Sequence, residues 1–148
     1  MLTQKAKYAL RACIHLVARP GETPRIAEIG AAERIPPKFL EAILLDLRKG
    51  GVLESVRGRK GGYRLARPAA MVSMGDIIRL IDGSLAPIRC ASRQNFEPCQ
   101  DCADVNGCVI RWAMLKARDA MATVLDRCTL AEAAARRSAS DDPLDFVI

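Results

Sequence analysis

The chain has 148 residues, half of them hydrophobic and only 4% aromatic, with six cysteines; this suits one ordinary domain with a real core and excludes a disordered chain. No apolar run approaches the about 18 residues needed to cross a bilayer, and Arg11 and His15 interrupt the first one, so no membrane contact and no export are expected and the location expected is cytoplasmic. Residues 1–68 hold 14 basic and 6 acidic side chains and residues 69–148 hold 9 and 11, so the net charge of +6 belongs to the first half and points it towards a polyanion.

Thr3 is placed to cap a helix on which Tyr8, Ala9, Ala12, Cys13, Leu16 and Val17 recur at helical spacing, ended by Pro20-Gly21. A shorter helix follows Thr23-Pro24 and stops near Arg34. The next starts at Pro36-Pro37 and carries Phe39, Leu40, Ile43, Leu44 and Leu47 to Gly50-Gly51. Three helices, two of them joined by a tight turn, predict a helix-turn-helix. Val52–Val56 and Gly62–Leu65 then read as a hairpin. Its turn, Arg57 to Gly62, holds three cations on glycine-bearing backbone, where a DNA-binding wing belongs.

Ser73–Ile81 reads as a small amphipathic helix closed by Asp82-Gly83. Residues 84–108 show no helical period and contain Cys90, Cys99, Cys102 and Cys108; an irregular stretch of that length in a compact chain is usually functional or disordered. Helical periodicity returns over Val109–Cys128. There Ile110, Met114, Ala117, Met121, Val124 and Cys128 form a seam suited to a second helix, and a homodimer built on it is expected. Thr129 caps a last helix, Leu130–Arg137, and residues 138–148 read as a tail. The fold class is mainly α with a small β-hairpin: a winged helix-turn-helix plus a long dimerisation helix.

Four thiols on an irregular loop can converge on a metal centre, and soft sulfur donors suit either structural zinc or an iron-sulfur cluster. Spacing alone does not choose, and a disulfide switch or inert thiols also remain open. Cys13, Cys128 and His15 lie within apolar helical patterns and read as packing residues. An enzyme is not expected: there is no cofactor glycine fingerprint, no Ser-His-Asp set, and a single histidine.

The segments Leu2-Thr3 through Tyr8-Ala9-Leu10, Ile35 to Glu41, Leu47 to Leu53 with Ser55-Val56-Arg57-Gly58, and Gly61 to Leu65 resemble the Rrf-type bacterial transcription regulators, the IscR/NsrR/CymR-like family. The resemblance covers about residues 1–130 and is most specific in the wing. It implies a winged-helix dimer on a palindromic operator duplex, with residues 1–68 binding DNA, 69–83 connecting, 84–108 sensing, and 109–137 dimerising. Lys38, Glu41 and Ala42 would face the major groove, Arg57 the minor groove, and Arg59 and Lys60 phosphates, with Thr3, Gln4 and Lys5 near the backbone. Arg137 would stand apart from the DNA. The resemblance favours an iron-sulfur cluster, [2Fe-2S] or [4Fe-4S], on Cys90, Cys99, Cys102 and Cys108, with zinc as the alternative. Four positions depart from the family: Arg111 replaces a histidine ligand, Tyr8 and Ala12 replace first-helix ligands, and Ala42 replaces an amide.

Overall fold

In a computed structural model that describes residues 2–139, the helical and hairpin signals resolve into six α-helices and one two-stranded sheet. The Thr3 hydroxyl accepts from the Ala6 N–H at 3.1 Å and so starts α1 (Gln4–Val17). Ala6, Ala9, Leu10, Cys13 and Leu16 turn inwards along it at helical spacing. After α2 (Ile26–Glu33), Arg34 takes the left-handed conformation with φ +52°, and the Ile35 N–H bonds back to the Gly30 carbonyl at 3.0 Å. That reversal lets α3 (Pro37–Lys49) begin at once on a proline, which needs no N–H partner in a first turn. Leu40, Ile43, Leu44 and Leu47 bury one face of α3 against α1 and α2.

β1 (Leu53–Val56) and β2 (Gly62–Leu65) pair antiparallel, Leu53 opposite Leu65 and Ser55 opposite Tyr63, and complete a winged helix-turn-helix. A short 3-10 turn at Ala69–Met71 leads to α4 (Met74–Asp82), where Ser73 and Asp76 cap each other's backbone reciprocally. The stretch from 84 to 108 holds one 3-10 turn, Arg89–Ala91, that the sequence pattern did not signal. α5 (Val109–Arg127) follows, then α6 (Leu130–Ala139), started by a second reciprocal cap between Thr129 and Glu132. α6 runs past the expected end at Arg137, so Ser138 and Ala139 are helix rather than tail; residues 140–148, read as tail, lie outside the described residues.

The chain on either side of α5 is stitched to the winged unit. The Met74 N–H donates to the Cys128 carbonyl and the Leu130 N–H to the Val72 carbonyl, both at 2.9 Å. Leu130 thereby joins the cluster of Leu10, Leu16, Ile29, Leu40, Ile43, Leu47, Val72 and Ile77, and α6 packs on α1. Each such side chain contributes roughly 1.5–3 kcal/mol by leaving water, so this cluster is the main support of the head. α5 is different: of its 19 residues only Arg118 is buried. Among the described residues no helix is long and apolar enough to cross a membrane.

Candidate nucleic-acid interface and cysteine site

The core-facing stripe of α3 leaves Lys38, Glu41 and Ala42 exposed on its opposite side, continued one turn later by Leu45. These residues occupy the first turns of the helix, the part that reaches base edges when such a helix enters a major groove. A lysine, a carboxylate and a methyl offer a cationic donor, an acceptor for a cytosine amino group, and an apolar contact. Phe39, half exposed, meets the edge of Tyr8 with ring centroids 6.4 Å apart, so α1 buttresses the start of α3.

Arg57, Arg59 and Lys60 all stand exposed on the wing. Gly58, at φ +109°, turns the backbone through a conformation open to glycine, and the Gly61 N–H closes the turn on the Gly58 carbonyl at 2.9 Å. Among the described residues none of the three cations pairs with a carboxylate, whereas Arg64 on β2 does, with Glu54 at 2.5 Å. The wing turn therefore keeps its charge available for a polyanion.

The start of α1 is more engaged than its sequence suggests. Asp82, at the end of α4, accepts from the Thr3 N–H at 3.1 Å and from its hydroxyl at 2.5 Å. The Lys5 ammonium lies 2.7 Å from Asp46 on α3. Either residue must exchange a carboxylate for a phosphate to touch DNA, while Gln4 is exposed. Local pattern could not reveal this, because the partners are 79 and 41 residues distant.

In the cysteine segment one pair of thiols is in contact. Cys90, buried in the Arg89–Ala91 turn, accepts from the Cys99 thiol with the sulfurs 3.8 Å apart. Cys99, Cys102 and Cys108 stand close enough for the charge of one thiol to act on another. The contact with and charge of Cys90 push the Cys99 thiol above its ordinary pKa, and loss of hydration followed by the nearby Cys108 does the same to Cys102. Among the described residues no three His, Cys, Asp or Glu side chains gather tightly enough to hold one metal ion. Two thiolates on one tetrahedral centre, with bonds of about 2.3 Å, stand about 3.8 Å apart, so the Cys90–Cys99 pair has the span of two ligands on a single metal.

Two arginines on α5 hold this segment in place, and nothing in their spacing announced it. The Arg111 side chain donates to the Cys90 carbonyl at 2.8 Å and lies over the Phe96 ring, while its backbone N–H donates to the Cys108 sulfur at 3.4 Å. Arg118 donates to the Ala91 carbonyl at 2.9 Å. The residue standing where the family resemblance implied a histidine ligand thus binds the backbone of the loop. Cys13 is wholly buried and its thiol is pushed up to about 12 by desolvation, as befits a packing residue. Cys128 is half-buried at the end of α5.

Comparison with known proteins is consistent along the length of the chain. A family model described as Rrf2, iron-dependent transcriptional regulator, matches residues 2–136. An rrf2-like HTH-type transcriptional regulator of Rhodobacter capsulatus is 42% identical over 134 residues, covering 88% of this chain and 89% of that protein. The HTH-type transcriptional regulator NsrR of Geobacillus kaustophilus is 35% identical over 132 residues, covering 88% of this chain and 87% of its own. Among solved structures, CymR of B. subtilis, described as the global cysteine regulator, superposes with a TM-score of 0.75 at 28% identity, covering 92% of this chain and 97% of that one.

Proposed function

From the premise that this chain belongs to the Rrf2 family of transcriptional regulators, DNA-binding proteins rather than enzymes, we propose that it acts as a homodimer whose operator affinity is set by the state of its four loop cysteines. Residues 1–68 supply the reading head. Lys38, Glu41 and Ala42 meet base edges, Arg57 enters the minor groove, and Arg59 and Lys60 neutralise phosphates. Thr3 and Lys5 join them once released from Asp82 and Asp46. Two heads related by a dimer axis match a palindromic operator.

The observation that carries the sensing half is the contact of Cys90 with Cys99, their sulfurs 3.8 Å apart, on the same loop as Cys102 and Cys108. Four soft sulfur donors on one loop, two of them at the span of ligands to a single metal, suit an iron-sulfur cluster, with zinc as the alternative. Cys90, Cys99, Cys102 and Cys108 would hold such a cluster, and it would supply a centre responsive to electrons, oxygen or nitric oxide. The chain's own part is mechanical. Arg111 and Arg118 tie the segment to α5, and Thr3 ties the start of α1 to Asp82 at the segment's entrance. Rearrangement of the thiols is therefore transmitted to both the long helix and the head. A coupling of about 1–3 kcal/mol gives a useful switch.

The dimer reading rests on α5, where Val109, Ile110, Trp112, Met121 and Val124 are all exposed on a helix with a single buried side chain. A second reading draws on the same 3.8 Å contact: a small shift brings Cys90 and Cys99 to bonding distance, so peroxide or a disulfide could close a reversible bridge. Anaerobic purification separates the two. The cluster reading expects a coloured protein with iron and acid-labile sulfide, and operator binding that changes when the metal is removed. A colourless, iron-free protein that changes affinity only with thiol oxidation establishes the bridge instead.

A further inference from the structure

We propose that Thr23 and Arg25, in the turn between α1 and α2, are positioning residues for the wing, fixing the Arg57–Lys60 turn relative to the recognition helix before DNA arrives. The Thr23 hydroxyl donates to the Lys60 carbonyl at 2.6 Å, and the Arg25 guanidinium donates to the Arg59 carbonyl. The Tyr63 N–H donates to the Pro24 carbonyl at 3.0 Å, so residues 23–24 run as a third strip of backbone beside β2. The approach is close enough that a Cβ on Gly62 would stand 2.0 Å from the Thr23 carbonyl oxygen and 2.4 Å from that of Pro24. Only glycine admits it.

Arg25 also belongs to the reading head. It is the N-cap of α2, its backbone N–H donating to the Glu28 carboxylate at 2.6 Å, and α2 packs on α3. One residue therefore starts the first helix of the helix-turn-helix with its backbone and grips the wing with its side chain. The wing needs such a grip. Its turn closes on the internal backbone bond from Gly61 to Gly58 and carries three cations that repel one another, none with a carboxylate partner among the described residues. Left loose, those cations lose conformational freedom on meeting DNA, and that loss subtracts from affinity; held in advance, they do not. An arginine suits the task because its planar fork keeps donors for the carbonyl whichever way the exposed stem moves.

This inference rests on the reading that Arg57, Arg59 and Lys60 meet DNA, and the experiment separates the two. The full chain is titrated against a duplex recovered by the wild-type protein from a random-sequence pool, over a range of KCl concentrations. The variants are R25A, R25K, T23V, the triple variant R57A/R59A/K60A, and the triple combined with R25A. Thermal unfolding of each establishes that the head remains folded, and T23V, a near-isosteric change, stands in if R25A does not fold.

The expected result is an affinity loss of about 10-fold for R25A and a smaller one for T23V and R25K, with a salt slope for R25A reduced by more than the about 0.9 unit of a single phosphate contact. In the triple background R25A should change affinity less than about 2-fold, since nothing is left to position. Full additivity there, or a slope reduced by one contact only, makes Arg25 a phosphate ligand in its own right and overturns the proposal. So does an R25A protein that binds like the wild type. If the triple variant itself binds normally, the wing reading beneath it fails.

Discussion

The Nδ1 of His15 on α1 stands 2.9 Å from the Glu33 carboxylate at the end of α2, with both side chains buried. Arg11 donates to the same carboxylate at 3.4 Å and to the Glu33 backbone carbonyl, and Arg137 on α6 approaches the carboxylate at 2.8 Å. Glu33 thus ties three helices together immediately before the helix-turn-helix reversal at Arg34. A carboxylate at a helix C-terminus faces the negative end of the dipole, and the surrounding cations offset that cost.

Replacing this carboxylate should cost more than a surface ion pair would. Burial pushes the Glu33 carboxyl up, but hydrogen bonds and charge from Arg137 and His15 outweigh it and leave it below its ordinary range. E33Q takes the carboxylate away from the buried His15 ring and from the partly exposed Arg11 and Arg137, and is expected to destabilise by roughly 1–3 kcal/mol in urea unfolding at neutral pH. A carboxyl with a lowered folded-state pKa contributes stability above the unfolded glutamate value of about 4.3, and that contribution disappears as the pH falls through the folded value. Wild type and E33Q should therefore differ by a constant amount above about pH 5 and converge as the pH falls below about 4 and through the folded value.

Arg57 should matter to operator binding far more than a distant cation. R57A is expected to weaken binding by about 10- to 100-fold, as for loss of a groove contact. Arg137, which the sequence places away from DNA, is no neutral control because it supports Glu33. Arg136 beside it is exposed and serves instead; R136A should stay within about 2-fold. Equal losses in a mobility-shift titration would reject the assignment of Arg57.

Glu41 should govern choice rather than strength. A carboxylate facing the groove repels phosphates unless it meets a cytosine amino group, so E41A should raise affinity for random duplex while reducing preference for the operator, by about 1–3 kcal/mol of discrimination. A variant that weakens both equally would place Glu41 outside the base contacts.

Cysteine substitutions should divide by position. C102S and C108S are expected to abolish iron retention in anaerobic preparations, whereas C13S should keep iron and register only in thermal unfolding, because Cys13 is sealed in the core. Iron analysis and visible spectra check both halves.

A charge placed on the open face of α5 should separate subunits without harming the head. Val124 is 66% exposed, so V124E meets no packed neighbour within one subunit. The expected outcome is a halved mass in sedimentation equilibrium with little loss of head stability. An unchanged mass would put the subunit contact elsewhere.

Wherever neighbours in sequence are neighbours in space, the chain announced its structure. Helix starts at Thr3, Pro37, Ser73 and Thr129, the hairpin return at Gly62–Leu65, and the open seam of α5 all follow from caps, turn residues and periodicity. What stayed hidden was polar and distant. Asp82 on Thr3, Asp46 on Lys5, Arg137 on Glu33 and Arg111 on the Cys90 carbonyl join exposed-looking charges across the fold, and such pairs leave no periodic trace. The cysteine segment was legible as chemistry but not as shape. A 3-10 turn buries Cys90 beside Cys99, while the first turn of α5 fixes Cys108.

A 19-residue helix with one buried side chain has little of its own to prevent unwinding in water. Dilution should consequently loosen α5 before the rest of the molecule, giving a two-stage melt whose first stage shifts with protein concentration and whose second does not. On the proposed dimer, abundance in the cell would then be an input to regulation alongside any chemical signal, since scarce copies would lose the paired helices that set the distance between reading heads.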